Sequence, residues 1–517
     1  MLKRLSLLIS DHRVVLVWLS ILLLAIALRL YNLSSVPAGL SIDETAIGYN
    51  GYAILTQRRD EWLQRLPLTF KSFGEYKPPL AIYSVAISSL FLGPTHFAIR
   101  LPMALGGVIT VITSYFIARK LLDKQSLALL VMLLVAVSPL NIHFSRIAFE
   151  SSLGVTLVAV GAAFFLWAAD RKLAIRAMMY ILSGLSWAVA LHSNHATKIV
   201  APLIIMILLW HQREIIRTQL KLVALTLLIV ALAIVPLAIG VRDGSGTERL
   251  FMTSALFDRS GIKPLPELLS TLFTATVGHL DPQFLMGGLR DTYRHANGVY
   301  GIFSSVELFM IIIGTVSIII KKALRGKHRF LLLISLTAII PSVISLPSPH
   351  ANRVHHLIPW IQIVAGVGWG GIVKQLPDKH KVFGWLAVLI LIFSQLLWQL
   401  PHYYRVYSVD AAREFQFGYR EVFEYLGTHE DAVNEVYFTD MYDQAYIYAL
   451  LYKRVPPISY HHGALIKYRF TKLDWEVLQD KQQIMIVAGP GEVPPSIERD
   501  HTVYYPDGST AFEIIRR

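Results

Sequence analysis

Residues 39–52 read GLSIDETAIGYNGY and follow the first long apolar segment of the chain. Two adjacent acids, Asp43 and Glu44, stand near its start. Ser41 or Asp43 is a good N-cap for a helix over 44–55, because a short side-chain oxygen accepts a hydrogen bond from an unpaired backbone N–H. Capping and the helix dipole account for one acid easily. The pair equally fits a general base, or a metal-binding carboxylate, at the rim of a cavity between helices.

The composition around this stretch is typical of a polytopic membrane protein. The 517 residues are 54% hydrophobic and 16% charged, whereas soluble domains carry about 25% charged residues. The mean hydropathy is +0.51. The excess of 48 basic over 35 acidic residues does not indicate nucleic-acid binding, since Lys and Arg fall in short clusters between apolar segments. The absence of cysteine excludes disulfides and thiolate metal sites.

About eleven apolar segments approach the roughly 20 residues that a helix needs to cross a bilayer core about 30 Å thick. A further segment, 79–91, is shorter and suits an interfacial or re-entrant helix. If it does not cross, the short basic loops all share the cytoplasmic side with the N-terminus, and the C-terminus lies outside the cell membrane. The predicted spans are 14–31, 98–119, 126–143, 151–169, 177–192, 197–210, 222–240, 303–320, 330–346, 357–374 and 382–400.

This topology puts two long loops, 32–97 and 241–302, on the outer side. The first loop is expected to contain interfacial helices. The chain after 400 is more polar and contains segments rich in Val, Ile, Tyr and Phe, which predict strands. The fold class is therefore an all-α membrane domain, 1–400, followed by a small extracytoplasmic α/β domain, 401–517. The predicted strands are 435–439, 483–488 and 511–515.

Four further charged residues are predicted to share the outer side with Asp43. Glu75 and Lys77 precede a Pro-Pro pair, where a lysine can anchor a phosphate or lie among anionic headgroups. Arg146 and Glu150 stand in NIHFSRIAFESS between two spans. Ionisable residues at membrane depth usually face a partner or a watery cavity. The simpler interpretation is a snorkelling arginine and a helix-capping glutamate.

The segment 350–356, HANRVHH, supplies two more candidates for substrate binding. Arg353 can hold a phosphate through two parallel hydrogen bonds, and His356 lies beside it. The histidines lack the i, i+4 spacing of a helical zinc site. A divalent cation, Mg²⁺ or Mn²⁺, held by Asp43 and Glu150 is left open.

No nucleotide-binding fingerprint is present, neither a P-loop nor a G-x-G-x-x-G after a strand. A transferase on the outer side, where nucleotide sugars are scarce, needs a different donor. A sugar on a polyprenyl phosphate fits, because the apolar chain can lie between helices while the phosphate meets Lys77 or Arg353.

Several segments together resemble the C-type glycosyltransferases. The resemblance is strongest to relatives of the dolichyl-phosphate-mannose protein mannosyltransferases, which include an aminoarabinose transferase acting on lipid A. It covers roughly the first 170 residues, and later residues only by topology. The segments are SIDETAIGYNGYAI (41–54), YKPPLAIY (76–83), FAIRLPMALGGV (97–108), SPLNIHFSRIAFESS (138–152) and, more loosely, SPHANRVHHLIPW (348–360).

The resemblance implies a role for each matched residue. Asp43 corresponds to the catalytic base, with Glu44 its neighbour and Glu150 a second acid of the site. Lys77 is expected to face the carrier phosphate, and Arg353 matches only loosely. The implied activity is transfer of a hexose or pentose, with inversion, to a protein, lipid or glycan of the cell envelope. The chain lacks WWDYG, which argues against transfer of a preassembled oligosaccharide to asparagine.

Two alternatives use the same features. A flippase for lipid-linked precursors would share the spans and the carrier, but it often shows inverted repeats, and none is seen in the sequence. A glycan polymerase or ligase would instead use the arginines of the fourth outer loop. These are Arg242, Arg249, Arg259, Arg290 and Arg294.

Overall fold

The computed structural model describes residues 2–242, 253–258, 261–288, 293–296, 298 and 300–517. Helices dominate the membrane part, because a helix satisfies all its backbone hydrogen bonds internally, which lipid requires. The helices of the first half are α1 (Leu2–Leu30), α2 (Ile42–Gln57), α3 (Pro79–Leu92), α4 (His96–Leu121), α5 (Gln125–Val137), α6 (Pro139–Ser145), α7 (Ser151–Ala168), α8 (Leu173–Ala190), α9 (His195–His211), α10 (Arg213–Thr218) and α11 (Leu220–Arg242).

The second half of the membrane part continues this pattern. Its α-helices are α12 (Leu265–Gly278), α13 (Ser305–Ile320), α14 (Lys322–Val343), α15 (Trp360–Gln375) and α16 (Asp378–Pro401). A 3₁₀ helix covers Ala351–Leu357, and π-helical turns cover Gln283–Gly287 and His402–Tyr407. Two short hairpins pair β1 (Phe70–Ser72) with β2 (Glu75–Lys77) and β3 (Phe257–Asp258) with β4 (Gly261–Ile262).

The predicted spans coincide with helices. In the described part of the chain, seven helices are long and apolar enough to cross a membrane, and nine spans result if each of two bent helix pairs counts as one. The bent pairs are α5 with α6, at 53°, and the 3₁₀ helix with α15, at 55°. The other two predicted spans are the shorter apolar helices α9 and α13, and α3 is also short. The prediction of a polytopic helical bundle is confirmed.

The basic loops between spans gather at one end of the bundle. Lys120 forms an ion pair with Asp170, and Lys327 Nζ lies 2.8 Å from Asp123 Oδ1. These contacts join loops that are separated by 50 to 204 residues in sequence. Such clustering is what the positive-inside bias requires. Which side of the cell membrane this end faces stays a prediction.

The C-terminal part contains a five-stranded sheet with the order β6-β5-β7-β9-β8. β5 runs parallel to β6 and β7, and β9 runs antiparallel to β7 and β8. The central strand β7 reads IMIVA and is buried along its whole length, as expected for a strand covered on both faces. The strands are β5 (Glu435–Thr439), β6 (Tyr468–Thr471), β7 (Ile484–Ala488), β8 (His501–Tyr504) and β9 (Thr510–Arg516), and the helices are α17 (Ser408–Asp410), α18 (Tyr419–His429), α19 (Ala445–Tyr452), α20 (Pro457–His461) and α21 (Trp475–Leu478), with a 3₁₀ turn at Glu430–Ala432.

This sheet domain packs directly on the first long loop. Apolar side chains from α2 and from the C-terminal part form one hydrophobic core. Tyr448 donates a hydrogen bond to the Leu40 carbonyl at 3.0 Å, and Tyr446 donates one to the Glu61 carboxylate at 2.6 Å. The first loop is therefore held between the bundle and the sheet. The membrane part and the C-terminal part share this core. A domain boundary at residue 400 stays a prediction.

Glu61 makes the stability of this contact depend on pH. Burial raises the pKa of Glu61 from 4.5 to about 6, although hydrogen bonds from Tyr446 and Asn50 lower it. The folded state then holds this proton more tightly than the unfolded chain. The free energy of unfolding therefore falls as the pH rises from 4.5 to about 6 and is level above that range.

We expect Glu61→Gln to remove this pH dependence. In the wild type, the ionisation of Glu61 should lower the free energy of unfolding by about 2 kcal/mol as the pH rises from its ordinary pKa to its pKa in the folded state. Thermal unfolding in detergent at about pH 4.5 and pH 7 measures the difference. The exposed Glu476→Gln should behave like the wild type. An identical pH response in Glu61→Gln and the wild type would contradict the assignment.

Candidate active site

The site begins at the N-terminus of α2. The Ser41 side chain accepts a hydrogen bond from the Glu44 backbone N–H at 3.4 Å, and the Glu44 carboxylate accepts one from the Ser41 N–H at 3.0 Å. This capping box starts the helix at Ile42, close to the predicted start. It also turns Glu44 back toward the cap, whereas Asp43 lines a cavity.

The hairpin β1–β2 brings Lys77 to Asp43. Lys77 pairs across the hairpin with Phe70, and Pro78 and Pro79 then end the strand and start α3. The Lys77 ammonium donates to Asp43 Oδ1 at 2.5 Å and to Glu75 Oε1 at 3.4 Å. The lysine is only 3% exposed, while Asp43 is 33% exposed. The pair therefore sits at the cavity wall with the carboxylate on the accessible side.

A third carboxylate acts on the same ammonium. Burial lowers the pKa of Lys77, but the negative charges of Asp43, Glu150 and Glu75 outweigh burial and raise it. Lys77 therefore stays protonated at neutral pH. The structure thus brings together four of the predicted site residues, although they lie up to 107 positions apart in the chain. They are Asp43, Glu75, Lys77 and Glu150.

These residues line a cavity of about 420 Å³. It lies between α2, the β1–β2 hairpin, the start of α7, the start of α9, the end of α14 and the residues around the 3₁₀ helix. The side chains around it are Asp43, Ile47, Lys77, Phe149, Glu150, Asn194, His195, Ala196, Lys198, Ile199, Thr253, Ser254, Arg294, His295, Pro341, Ile344, Ser345, His350, Asn352 and Arg353.

Arg353 reaches the cavity from the 3₁₀ helix. Its guanidinium donates to the carbonyls of Pro347 and Leu346, both at 2.9 Å. These bonds hold a half-buried cation at the cavity rim. The neighbouring His356 does not line the cavity. It is buried, and its Nε2 lies 2.8 Å from Thr197 Oγ1, so it joins the 3₁₀ helix to α9.

The structure does not bring Glu44 to the cavity, although it was predicted as a catalytic acid beside Asp43. Its fully buried carboxylate lies 2.9 Å from Arg100 Nε and accepts the Ala148 N–H at 2.9 Å. Arg100 also donates to the carbonyls of the turn before α2, at Leu33, Pro37 and Gly39. Glu44 therefore has a packing role that connects three segments.

Arg146, predicted to bind substrate, is also placed elsewhere. It is fully buried and donates to the carbonyls of Leu28, Arg29 and Val36 at 3.0 to 3.2 Å. Unpaired carbonyls at the end of a helix need such donors. Arg146 therefore caps the end of α1.

The sequence interpretation missed His295 as a cavity residue. Its ring stacks on Phe149 with centroids 5.4 Å apart and lies 4.3 Å from the ring of His350. No periodicity or motif distinguishes a histidine in the fourth outer loop. A usable signal was its neighbour Arg294, one of the five arginines of the fourth outer loop. Arg294 and His195 also line the cavity.

Three of the five arginines considered for a glycan polymerase or ligase have no described position. Arg249, Arg259 and Arg290 lie outside the described residues. Arg242 is exposed at the end of α11. Arg294 lies 3.8 Å from Glu414, in addition to lining the cavity.

A divalent cation does not fit the arrangement of Asp43 and Glu150. The Lys77 ammonium lies 2.5 Å from Asp43 Oδ1 and takes the place beside this carboxylate that a metal ion would need. Within the described ranges, no group of three or more His, Asp or Glu could hold a metal ion.

Comparisons with known proteins agree with this fold. Residues 76–239 match the family model of dolichyl-phosphate-mannose-protein mannosyltransferases. No curated protein matches the chain by sequence. The fold is similar to that of ArnT from Cupriavidus metallidurans in the apo state, with a TM-score of 0.58, 14% identity and coverage of 98% of both chains.

Two further structures contain a bound lipid carrier. ArnT from Cupriavidus metallidurans bound to undecaprenyl phosphate gives a TM-score of 0.58 at 13% identity, again over 98% of each chain. The oligosaccharyltransferase AglB from Archaeoglobus fulgidus, in complex with an inhibitory peptide and a dolichol-phosphate, gives 0.52 at 14% identity, over 86% of this chain and 64% of that chain. The protein has the fold of the C-type glycosyltransferases, as the sequence motifs predicted.

Separate roles for the adjacent acids predict separate consequences. Glu44→Gln leaves Arg100 buried without its counter-charge and should lower the free energy of unfolding by about 3–5 kcal/mol. Asp43→Asn removes a partly exposed charge and leaves the buried Lys77 with Glu75 and Glu150 as counter-charges, so it should cost less, about 1 kcal/mol. Thermal unfolding of both variants in detergent tests this. Equal destabilisation by both substitutions would contradict the assignment of Glu44 to packing.

Proposed function

We propose that the protein is an integral-membrane glycosyltransferase that moves a sugar from a polyprenyl-phosphate carrier to an acceptor on the outer face of the cell membrane. The main support is the Asp43–Lys77 ion pair in the wall of the cavity. A base beside a cation suits a reaction in which one bond to phosphate breaks while a hydroxyl or amine loses its proton. The match of residues 76–239 to a mannosyltransferase family supports the same reaction class.

In the proposed reaction, the oxygen or nitrogen of the acceptor attacks the anomeric carbon of the donor sugar. The bond from this carbon to the phosphate oxygen breaks, and the polyprenyl phosphate leaves with the bonding electrons. The acceptor proton passes to the Asp43 carboxylate. Attack from the face opposite the phosphate inverts the anomeric configuration. Asp43 is accessible enough to take this proton, because a third of its side chain is exposed.

The leaving phosphate needs positive charge near it. Lys77 carries three N–H donors, so it can keep its bond to Asp43 while another N–H meets a phosphate oxygen. The half-buried guanidinium of Arg353 is a second cation on the same cavity. Fixed cations stabilise charge that develops on the leaving group without reorganisation. A polyprenyl phosphate is the proposed carrier, because the cavity opens within a bundle of apolar helices, and similar folds have been solved with undecaprenyl phosphate and with dolichol-phosphate.

The base is tested by sugar transfer from radiolabelled polyprenyl-phosphate hexoses and pentoses in membranes that contain the protein. We expect Asp43→Asn to lose about 10²–10⁴-fold in rate, as is typical for a general base. Asp123→Asn, at the basic end of the bundle, should keep the wild-type rate. Transfer that survives in Asp43→Asn at equal expression would exclude Asp43 as the base. Labelled lipid that crosses the bilayer without transfer would favour the flippase.

The phosphate role predicts selective loss of donor affinity. Removing one charged hydrogen bond costs about 1.5–3 kcal/mol, so Lys77→Met and Arg353→Gln should each raise the donor KM about 10- to 100-fold. Lys77→Arg should restore part of the affinity, because it keeps the charge. Lys71→Met is the matched control, since Lys71 lies in the same hairpin and is exposed. An unchanged donor KM in Lys77→Met would refute its phosphate role.

A further inference from the structure

One wall of the cavity is built from aromatic rings of three separate segments. Phe149 precedes α7, His295 lies in the fourth outer loop, and His350 precedes the 3₁₀ helix. The ring of His295 lies between the other two, with centroids 5.4 Å from Phe149 and 4.3 Å from His350. All of them line the cavity that contains Asp43 and Lys77.

His295 contributes no positive charge to this wall. Burial, with smaller effects of the nearby Arg294, His143 and Arg353, lowers the pKa of His295 to about 3, although Asp43 acts to raise it. A neutral imidazole has one N–H donor and one nitrogen acceptor. Among the residues that the structure describes, the buried Nδ1 of His295 has no hydrogen-bond partner.

The polar residues in the rest of the cavity lining are of two chemical types. The cations and carboxylates suit a phosphate and a proton transfer. The other polar groups are uncharged amides and hydroxyls, which suit sugar hydroxyl groups. These uncharged groups are Asn194, Thr253, Ser254, Ser345 and Asn352.

We propose that the ring wall of Phe149, His295 and His350 is the subsite for the transferred sugar, and that His295 selects it by hydrogen bonds to its hydroxyl groups. This inference rests on the proposed function. The C–H face of a sugar ring packs against the aromatic rings, while the phosphate meets Lys77 and Arg353 of the same cavity. The ligand class is therefore one neutral sugar ring.

The size of the cavity also suits a donor that carries one sugar. Pockets for small ligands commonly measure about 300–1,000 Å³, and this one, at about 420 Å³, lies near the lower end. A single sugar with its phosphate fits this range. The neutral imidazole of His295 and the amides and hydroxyls of the lining match the uncharged hydroxyl groups of a sugar.

The test compares the binding of two kinds of probe to the full-length protein in detergent. One probe is undecaprenyl phosphate without a sugar. The others are undecaprenyl phosphates carrying mannose, glucose, galactose or arabinose, together with a disaccharide and a uronic acid analogue. The ratio of the Kd for the bare lipid to the Kd for the best single-sugar lipid measures the contribution of the sugar.

We expect this ratio to be about tenfold or more in the wild type, which corresponds to one or two hydrogen bonds. His295→Phe keeps a ring but has no polar nitrogen, so the ratio should fall below about threefold. His295→Gln should retain part of it, and the exposed His462→Phe should retain all of it. Lys77→Met should weaken the binding of both kinds of lipid. Disaccharide and uronic acid probes should not bind more tightly than the best single-sugar lipid.

The possible failures are distinguishable. A wild-type protein that binds none of these lipids contradicts the proposed function. A wild type that binds all of them equally well, or a His295→Phe variant that unfolds at the wild-type temperature and keeps the full ratio, overturns the sugar subsite alone. Preference for the disaccharide or the uronic acid probe also overturns it.

Discussion

The buried ion pair between Glu44 and Arg100 holds the site together. Neither side chain is exposed, and a buried charge without its partner costs several kcal/mol. The carboxylate also accepts the Ala148 N–H, two residues before Glu150. The first loop, α4 and the α6–α7 connection can therefore satisfy these charges only when they meet. Asp43 and Glu150 take their positions from that requirement, because each lies within two residues of an atom that the ion pair holds.

Two other buried arginines apply the same constraint to the ends of helices. Arg146 donates to the carbonyls of the last turn of α1, and Arg29 donates to the carbonyls of Val135 and Ala136 at the end of α5. The last carbonyls of a helix have no partner within it. Arginine suits this position, because its planar group offers five donors in a fixed geometry. A buried charged residue in these loops thus marks a connection between helices.

The spans and most strands were predictable from the sequence because each depends on a local pattern. A bilayer demands long apolar helices, and β7 reads as a continuous apolar strand. The choice between Asp43 and Glu44 was not local. Adjacent residues point about 100° apart around a helix, so only one can face the cavity. Arg100, 56 positions away, decides which one turns inward. Sequence spacing around α2 does not contain that information.

The ring wall of Phe149, His295 and His350 was likewise not predictable from local sequence. The proposed donor has a charged phosphate and an uncharged sugar joined by one bond, so its site would need charged and neutral surfaces side by side. Burying more cations beside the sugar would cost desolvation without a counter-charge. Neutral rings avoid that cost. Phe149, His295 and His350 are separated by 55 positions or more and come together only through tertiary packing. Their proposed role therefore follows from the chemistry of the cavity lining and from no single segment of sequence.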